Sequence, residues 1–186
     1  MSKLGLLLEW ASEHVRGRHR AGVQTFPLYR RSHGTFTRSD DLQGADFVTV
    51  DVSVGGEWSF SQTLRHLVMA TDTWLGRAIL EREQPFHPLG QPNVEYGTDG
   101  NDMSIHTTGT PPYAEVLEVR AGRVAMVRDY LSTVTPNELT MTRNNPHNPD
   151  YPETTLSCLQ VILGEEWEHH RYAVRDLKAI GAKSDT

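Results

Sequence analysis

Six residues, Leu159, Leu163, Glu166, His170, Ala173 and Leu177, recur at spacings of 4-3-4-3-4. At roughly 100° per residue such positions stack on one face of an α-helix. Two further segments carry the same period. In "FSQTLRHLVMATDTWLGRAILER" the stripe is Phe60, Leu64, Leu67, Val68, Thr71, Trp74, Leu75 and Ala78. In "TPPYAEVLEVRAGRVAMVRDYLSTVT" it is Val116, Val119, Val127, Leu131 and Val134. Long amphipathic helices of this kind must bury their stripes against one another, which points to an all-α bundle.

The ends of these helices are marked by residue type. Ser59 is a good N-cap and Gln62 stands at the capping-box position, so the first segment is expected over 60–82. Thr110 can cap the second, with prolines in its first turn, and Pro136 ends it. Thr154 or Thr155 can cap the third, and Gly181 suits the position just past its end. Two long loops intervene, residues 84–110 and 136–154. Loops of that length in a compact domain are usually functional or disordered. Their aromatics, Phe86, Tyr96 and Tyr151, favour a folded lid.

The N-terminal quarter has a weaker pattern. Residues 3–16 suit a helix, with Leu4, Leu7, Leu8 and Ala11 on one side. Residues 17–45 are basic and irregular. "LQGADFVTVDVSV" alternates enough for a short strand, and a single copy of a repeat-like coil carries little weight. The expected organisation is one domain over 1–186, with an atypical region 1–49 and a bundle core over 50–181.

With 186 residues, 37% hydrophobic and 23% charged, the chain can bury a substantial core. Its net charge of −6 comes with no basic block, so no nucleic-acid partner is expected. No window approaches the roughly 18 apolar residues of a membrane span, and "LGLLLEW" lacks the marks of a signal peptide. The one cysteine, Cys158, excludes an internal disulfide and suits a reducing, cytoplasmic setting. In "LSCLQVIL" it reads as a small buried residue rather than a reactive thiol.

The chemistry lies in "GEEWEHHRYAVRDL". Glu166 and His170 are four apart, so their side chains are neighbours, and both fall within the apolar spine. A carboxylate on a core face costs several kcal/mol unless it is paired or binds a cation. The pair is therefore half of a metal site, a buried Glu–His hydrogen bond, or a face opening onto water. His169 falls at the edge of the stripe, and Glu165, Glu168, Arg171 and Arg175 point elsewhere on the wheel. His66, on the flank of the 60–82 stripe, is the histidine of another helix that could complete a site. His87, His106 and His147 are loop alternatives. Arg120 and Arg123 fall within the stripe of the middle helix, either snorkelling at its edge or facing an anion. No motif supports a nucleophilic serine, a phosphate loop or a zinc protease, and "GTDGND" lacks the EF-hand ligand pattern.

"WSFSQTLRHLVMATDTWLGRAIL", followed far downstream by "LGEEWEHHRYAVRDL", resembles the DinB-like superfamily. That superfamily includes mycothiol-dependent maleylpyruvate isomerases and bacterial thiol S-transferases. The resemblance covers about residues 50–181. It implies a four-helix bundle, up-down-down-up, with a divalent metal in a pocket at one end. The usual ligands are a histidine of the second helix and an H-x-x-x-H pair of the last. Carried over, these fall on His66, Glu166 and His170. The glutamate departs from the three-histidine form, and resembles the His, Glu, His set of the maleylpyruvate isomerase branch. His169 is then a neighbour that supports the ligands.

The resemblance implies a cytoplasmic enzyme that uses zinc, or nickel, iron or manganese in its place, with a thiol cosubstrate. The thiolate would attack an electrophilic small molecule beneath the 84–110 loop, with Arg123 or Arg120 orienting an anionic group. Metal-dependent hydrolysis and a non-enzymatic ligand-binding or stress-response role are the alternatives. A homodimer is open to such bundles, with Trp10, Trp58, Trp74 and Trp167 as interface anchors or core residues.

Overall fold

The computed structural model describes residues 50–93 and 102–184, all within one compact unit, Leu42–Thr186. The expectations for the helix at 3–16, the region 17–45, Trp10 and Tyr96 lie outside the described residues.

The fold is all-α. Helix α1 spans Phe60–Thr71 and continues without a break as a π-helix, Asp72–Ile79. Helix α2 spans Tyr113–Thr133, α3 is the short Pro136–Leu139, and α4 runs over Thr155–Ser184. A 3-10 turn, Met103–Ile105, interrupts the loop before α2. At about 1.5 Å per residue, the 30 residues of α4 make a rod of roughly 45 Å. No helix is long and apolar enough to cross a membrane among the described residues.

The start of α1 follows the sequence closely. The Ser59 side chain accepts from the Gln62 backbone N–H, and the Gln62 side chain accepts from the Ser59 N–H. Two N–H groups that the helix cannot satisfy are thus paired reciprocally. The expected helix 60–82 differs at its end. The chain widens to i→i−5 bonding, as in Leu80 N–H to Leu75 O at 2.9 Å, and stops at Ile79. Gly76 allows the turn at Pro85 to approach, because a Cβ there would meet the Pro85 Cβ at 3.2 Å.

The middle helix starts later than Thr110, with Pro112 at its N-cap. Pro136 does not merely stop it. Thr135 caps a new helical turn at α3, with Glu138 completing a second capping box. The loop that follows closes on itself: β1, Thr142–Arg143, pairs antiparallel with β2, Glu153–Thr154. Helix α4 runs through Gly181 instead of ending before it. The described part of the alternating stretch, 50–54, carries no strand.

Helix α1 is the centre of the described bundle and packs against both α2 and α4. Leu64, Leu67, Val68, Leu75, Ala78 and Ile79 of α1 meet Val116 of α2 and Cys158, Leu159, Ile162 and Ala173 of α4 in the buried core. Its burial extends beyond the apolar stripe to Ser61, Thr63, Arg65, Asp72 and Thr73. The segment 85–93 covers that remaining face, burying Leu89. A helix buried all round normally needs an apolar surface. Here its polar groups are matched individually, as at Thr71, whose hydroxyl donates to Leu67 O at 2.9 Å.

Candidate metal centre

His66, on the flank of the α1 stripe, is half-buried between α4 and the 85–93 segment. Its Nε2 lies 3.3 Å from Oε2 of Glu165 on α4. Its Nδ1 lies 3.1 Å from the Gln91 carbonyl oxygen, on the covering segment. One helical turn beyond Glu165, His169 places Nδ1 2.9 Å from the Glu165 carbonyl and 3.4 Å from its carboxylate. The two imidazole rings are 4.8 Å apart between centroids, and Trp58 packs 4.7 Å from His66 and 6.4 Å from His169. One donor atom from each of His66, Glu165 and His169 lies within 4.8 Å of the other two.

The hydrogen bonds settle where the protons sit. A backbone carbonyl only accepts, so His66 Nδ1 carries hydrogen and donates to Gln91 O. A neutral His66 therefore turns the lone pair of Nε2 toward a carboxylate oxygen at 3.3 Å. Two acceptors face each other, which is stable only with a cation between them: a proton, or a metal. His169 is in the same tautomer, its Nδ1–H donating to the Glu165 carbonyl and leaving the lone pair on Nε2. Orientation of a histidine ligand by its other nitrogen is the usual arrangement around protein-bound metals.

With a proton between the two groups, the hydrogen bond from His66, ahead of the opposing effect of burial, holds Glu165 below the usual carboxylate range. In that state burial, followed by the charge of the protonated His66, lowers His169. Metal–ligand bonds of about 2.0–2.2 Å at tetrahedral angles set neighbouring donors about 3.3–3.6 Å apart. The 3.3 Å between His66 Nε2 and Glu165 Oε2 is that separation. Two imidazoles and a carboxylate fit a divalent metal.

The expected partners of His66, Glu166 and His170, stand one position farther along α4. Glu166 is ion-paired with Arg120, and His170 is exposed. His169, expected beside the ligands, is brought together with His66 itself. Glu165, expected to point elsewhere, is the carboxylate of the cluster. The E-x-x-x-H spacing occurs twice in "EEWEHH", so spacing carried the signal for Glu165 and His169 equally. Rotation of α4 chooses between the two pairs.

Both arginines of the middle stripe, read as snorkelling at its edge or facing an anion, are engaged by carboxylates. Arg120, 8% exposed, meets Glu166. Arg123 donates Nε to Asp72 Oδ1 at 2.6 Å and Nη2 to Oδ2 at 3.1 Å. Asp72 is fully buried at the start of the π-helix and also accepts from the His87 N–H at 2.9 Å. The loop histidines take other places: His87 Nδ1 accepts from the Leu89 N–H, His106 is buried near Gly90, and His147 packs on Trp74.

A cleft of about 310 Å³ opens beside His169, lined by Gly56, Glu57, Trp58, Thr63, Tyr172 and Asp176. Its walls come from the 56–58 turn, from Thr63 of α1 and from α4. Within the described part of the 84–110 loop, Gln91 reaches the cluster from the opposite side, at His66 Nδ1. Of the tryptophans, Trp58 lines the cleft, Trp74 is half-buried, and Trp167 is 49% exposed.

Comparison with curated proteins and with solved structures finds no match. A family model, described as the DinB superfamily, matches residues 27–173, a span that includes His66, Glu165 and His169. With most of its length matched by that model and its described part folded as a helical bundle, the chain belongs to the DinB superfamily.

Proposed function

We propose that His66, Glu165 and His169 hold a divalent metal, zinc first among the candidates, in a cytoplasmic small-molecule enzyme that uses a thiol cosubstrate for transfer or isomerisation. The observation that carries this reading is the convergence of three donors from two helices: one ligand atom from each of His66, Glu165 and His169 lies within 4.8 Å of the other two. Such a metal lowers the pKa of a bound thiol or water, so that the nucleophile forms near neutral pH.

The residues of the chain divide the remaining work. Gln91 O and the Glu165 carbonyl hold the two imidazoles in the tautomer that keeps Nε2 basic. Trp58 limits water on one side of the cluster, and the cleft beside His169 admits the small molecule. Glu57 and Asp176 contribute carboxylates to its lining, and Arg175 is ion-paired with both of them. The thiol comes from outside. Cys158 is fully buried and desolvation raises its thiol to a pKa of about 11, so the chain's one cysteine is no nucleophile.

Elemental analysis of untagged protein tests the reading. Wild type should carry stoichiometric metal, and His169→Ala should carry little. Equal, negligible metal in both overturns it. Low-molecular-weight thiols should then raise the melting point of the metal-loaded protein by mass action. A thiol-independent hydrolytic activity of the metal-loaded protein would favour water as the nucleophile.

A further inference from the structure

Arg65 is a cation in the core, 4% exposed, next in sequence to His66. Its guanidinium is spent on backbone carbonyls. Nε donates to Leu89 O at 3.0 Å, Nη2 to Thr107 O at 2.9 Å and Nη1 to Gly109 O at 3.0 Å. Burial accordingly lowers its pKa from the usual arginine value. The planar fork of arginine can meet three carbonyls in three directions at once, which the single ammonium of a lysine cannot reproduce.

The carbonyls belong to the two limbs of the loop that covers α1. The limbs are joined to each other by the Thr107 N–H, which donates to Pro88 O at 2.7 Å. Two residues beyond Leu89, Gln91 makes a two-point bracket on α1: its N–H donates to Arg65 O at 3.0 Å, and its carbonyl accepts from His66 Nδ1 at 3.1 Å. Between them Gly90 passes so close to the helix that a Cβ would meet the Met69 Cβ at 3.3 Å and His87 O at 3.2 Å.

We infer that Arg65 is a positioning residue for His66: it clamps the 89–91 strap, and the strap fixes the tautomer and rotation of the imidazole that faces Glu165. A buried cation is a costly way to hold a loop if stability alone is wanted, since apolar residues of similar volume do so without desolvation. What the fork supplies is a defined position for one carbonyl, Gln91 O. The inference rests on the metal reading for its consequence in metal affinity, but the tautomer it fixes exists with or without the metal.

Two measurements test it on the full chain. In metal-free protein at pH 9, long-range nitrogen–proton spectra should show wild-type His66 with hydrogen on Nδ1, and Arg65→Met with a mixture of tautomers. In zinc competition with a chromophoric chelator, Arg65→Met should bind about 10–100-fold more weakly, the usual effect of removing a group that orients a ligand. Arg65→Lys should recover part of the loss. Leu75→Ala, which removes a fully buried side chain of the same helix, should destabilise the fold and leave zinc affinity unchanged. If Arg65→Met loses its helical circular dichroism, Gly90→Ala moves the strap with Arg65 in place and should shift tautomer and affinity in the same direction. Wild-type tautomer and affinity in both strap variants, or equal affinity losses in Arg65→Met and Leu75→Ala, overturns the inference. Failure of wild type to bind zinc would instead sink the metal reading, and the tautomer measurement would still decide the role of Arg65.

Discussion

Glu165 and Glu166 are neighbours in the chain and partners of different helices: Glu165 reaches His66 on α1, and Glu166 reaches Arg120 on α2. Successive residues of a helix point about 100° apart, so one step along α4 changes which neighbour a carboxylate meets. The first contact is a candidate metal centre and the second an ion pair within the bundle.

Substitutions along "EEWEHH" should therefore separate sharply in metal content. His66→Ala, Glu165→Gln and His169→Ala should each weaken zinc binding by at least about 100-fold, as expected when a three-ligand site loses one donor. Glu166→Gln and His170→Ala should stay within a few-fold of wild type. Competition titration of the five variants checks this, and metal loss in His170→Ala with retention in His169→Ala would restore the register expected from the helical wheel.

Glu166→Ala should cost stability instead. It leaves the buried Arg120 guanidinium without its carboxylate, a change that costs about 3–5 kcal/mol for fully buried pairs. Because the Glu166 side chain is 31% exposed, the loss should be nearer about 2 kcal/mol. Urea denaturation of the metal-free protein measures it free of any contribution from zinc.

Asp72→Asn should be the more damaging change. Asp72 is fully buried, holds Arg123 with both oxygens and receives the His87 N–H. Replacing the carboxylate leaves a half-buried guanidinium partly unpaired, at a cost of about 3–5 kcal/mol. At about 2–4 °C per kcal/mol for a chain of this size, the melting temperature should fall by roughly 10 °C.

Acid should destabilise the metal-free fold before the carboxylates titrate. Burial lowers His87 and His106 below the ordinary histidine value of 6.5. Between those lowered values and 6.5 the unfolded chain binds more protons than the folded one, so stability rises with pH across that window. It should be fully present above about pH 7 and decline as pH falls below 6.5, with His169 acting in the same direction. Replacing His106 with Gln should flatten the slope of urea-derived stability between pH 7 and 5.

Cys158 should ignore thiol reagents in the native state. It is fully buried, with its thiol raised to about 11. At pH 8 a chromogenic disulfide reagent should report no fast thiol in buffer and one per chain in urea. A fast native reaction would reopen the chain's own cysteine as the nucleophile.

Periodicity made the helices of the described unit legible. Of the α1 stripe, Leu64, Leu67, Val68, Thr71, Leu75 and Ala78 are buried as expected, Phe60 and Trp74 are half-buried, and the Ser59–Gln62 capping box forms as the residue types predict. The late course of each helix was less accessible. The short α3 is locally coded, by the Thr135–Glu138 capping box and Pro136, and is readable only once Pro136 is taken as a start and not a stop. The π-helix from Asp72 and the passage of α4 through Gly181 depend on what packs against those turns. The arginines of the middle stripe also required three dimensions, because their carboxylates, Asp72 and Glu166, lie 51 and 46 residues away in the chain.

The sequence by itself determined that helices form, where α1 begins, that carboxylate and histidine lie one turn apart on α4, and that His66 is a candidate to meet them. Helical spacing is a local property, and each of these follows from residues within a few positions of one another. Only the tertiary structure decided which pair turns toward His66. Glu165 with His169 and Glu166 with His170 satisfy the same spacing. A helix packed in a bundle has more than one buried side, so the centre of its apolar stripe need not face the partner that carries the chemistry.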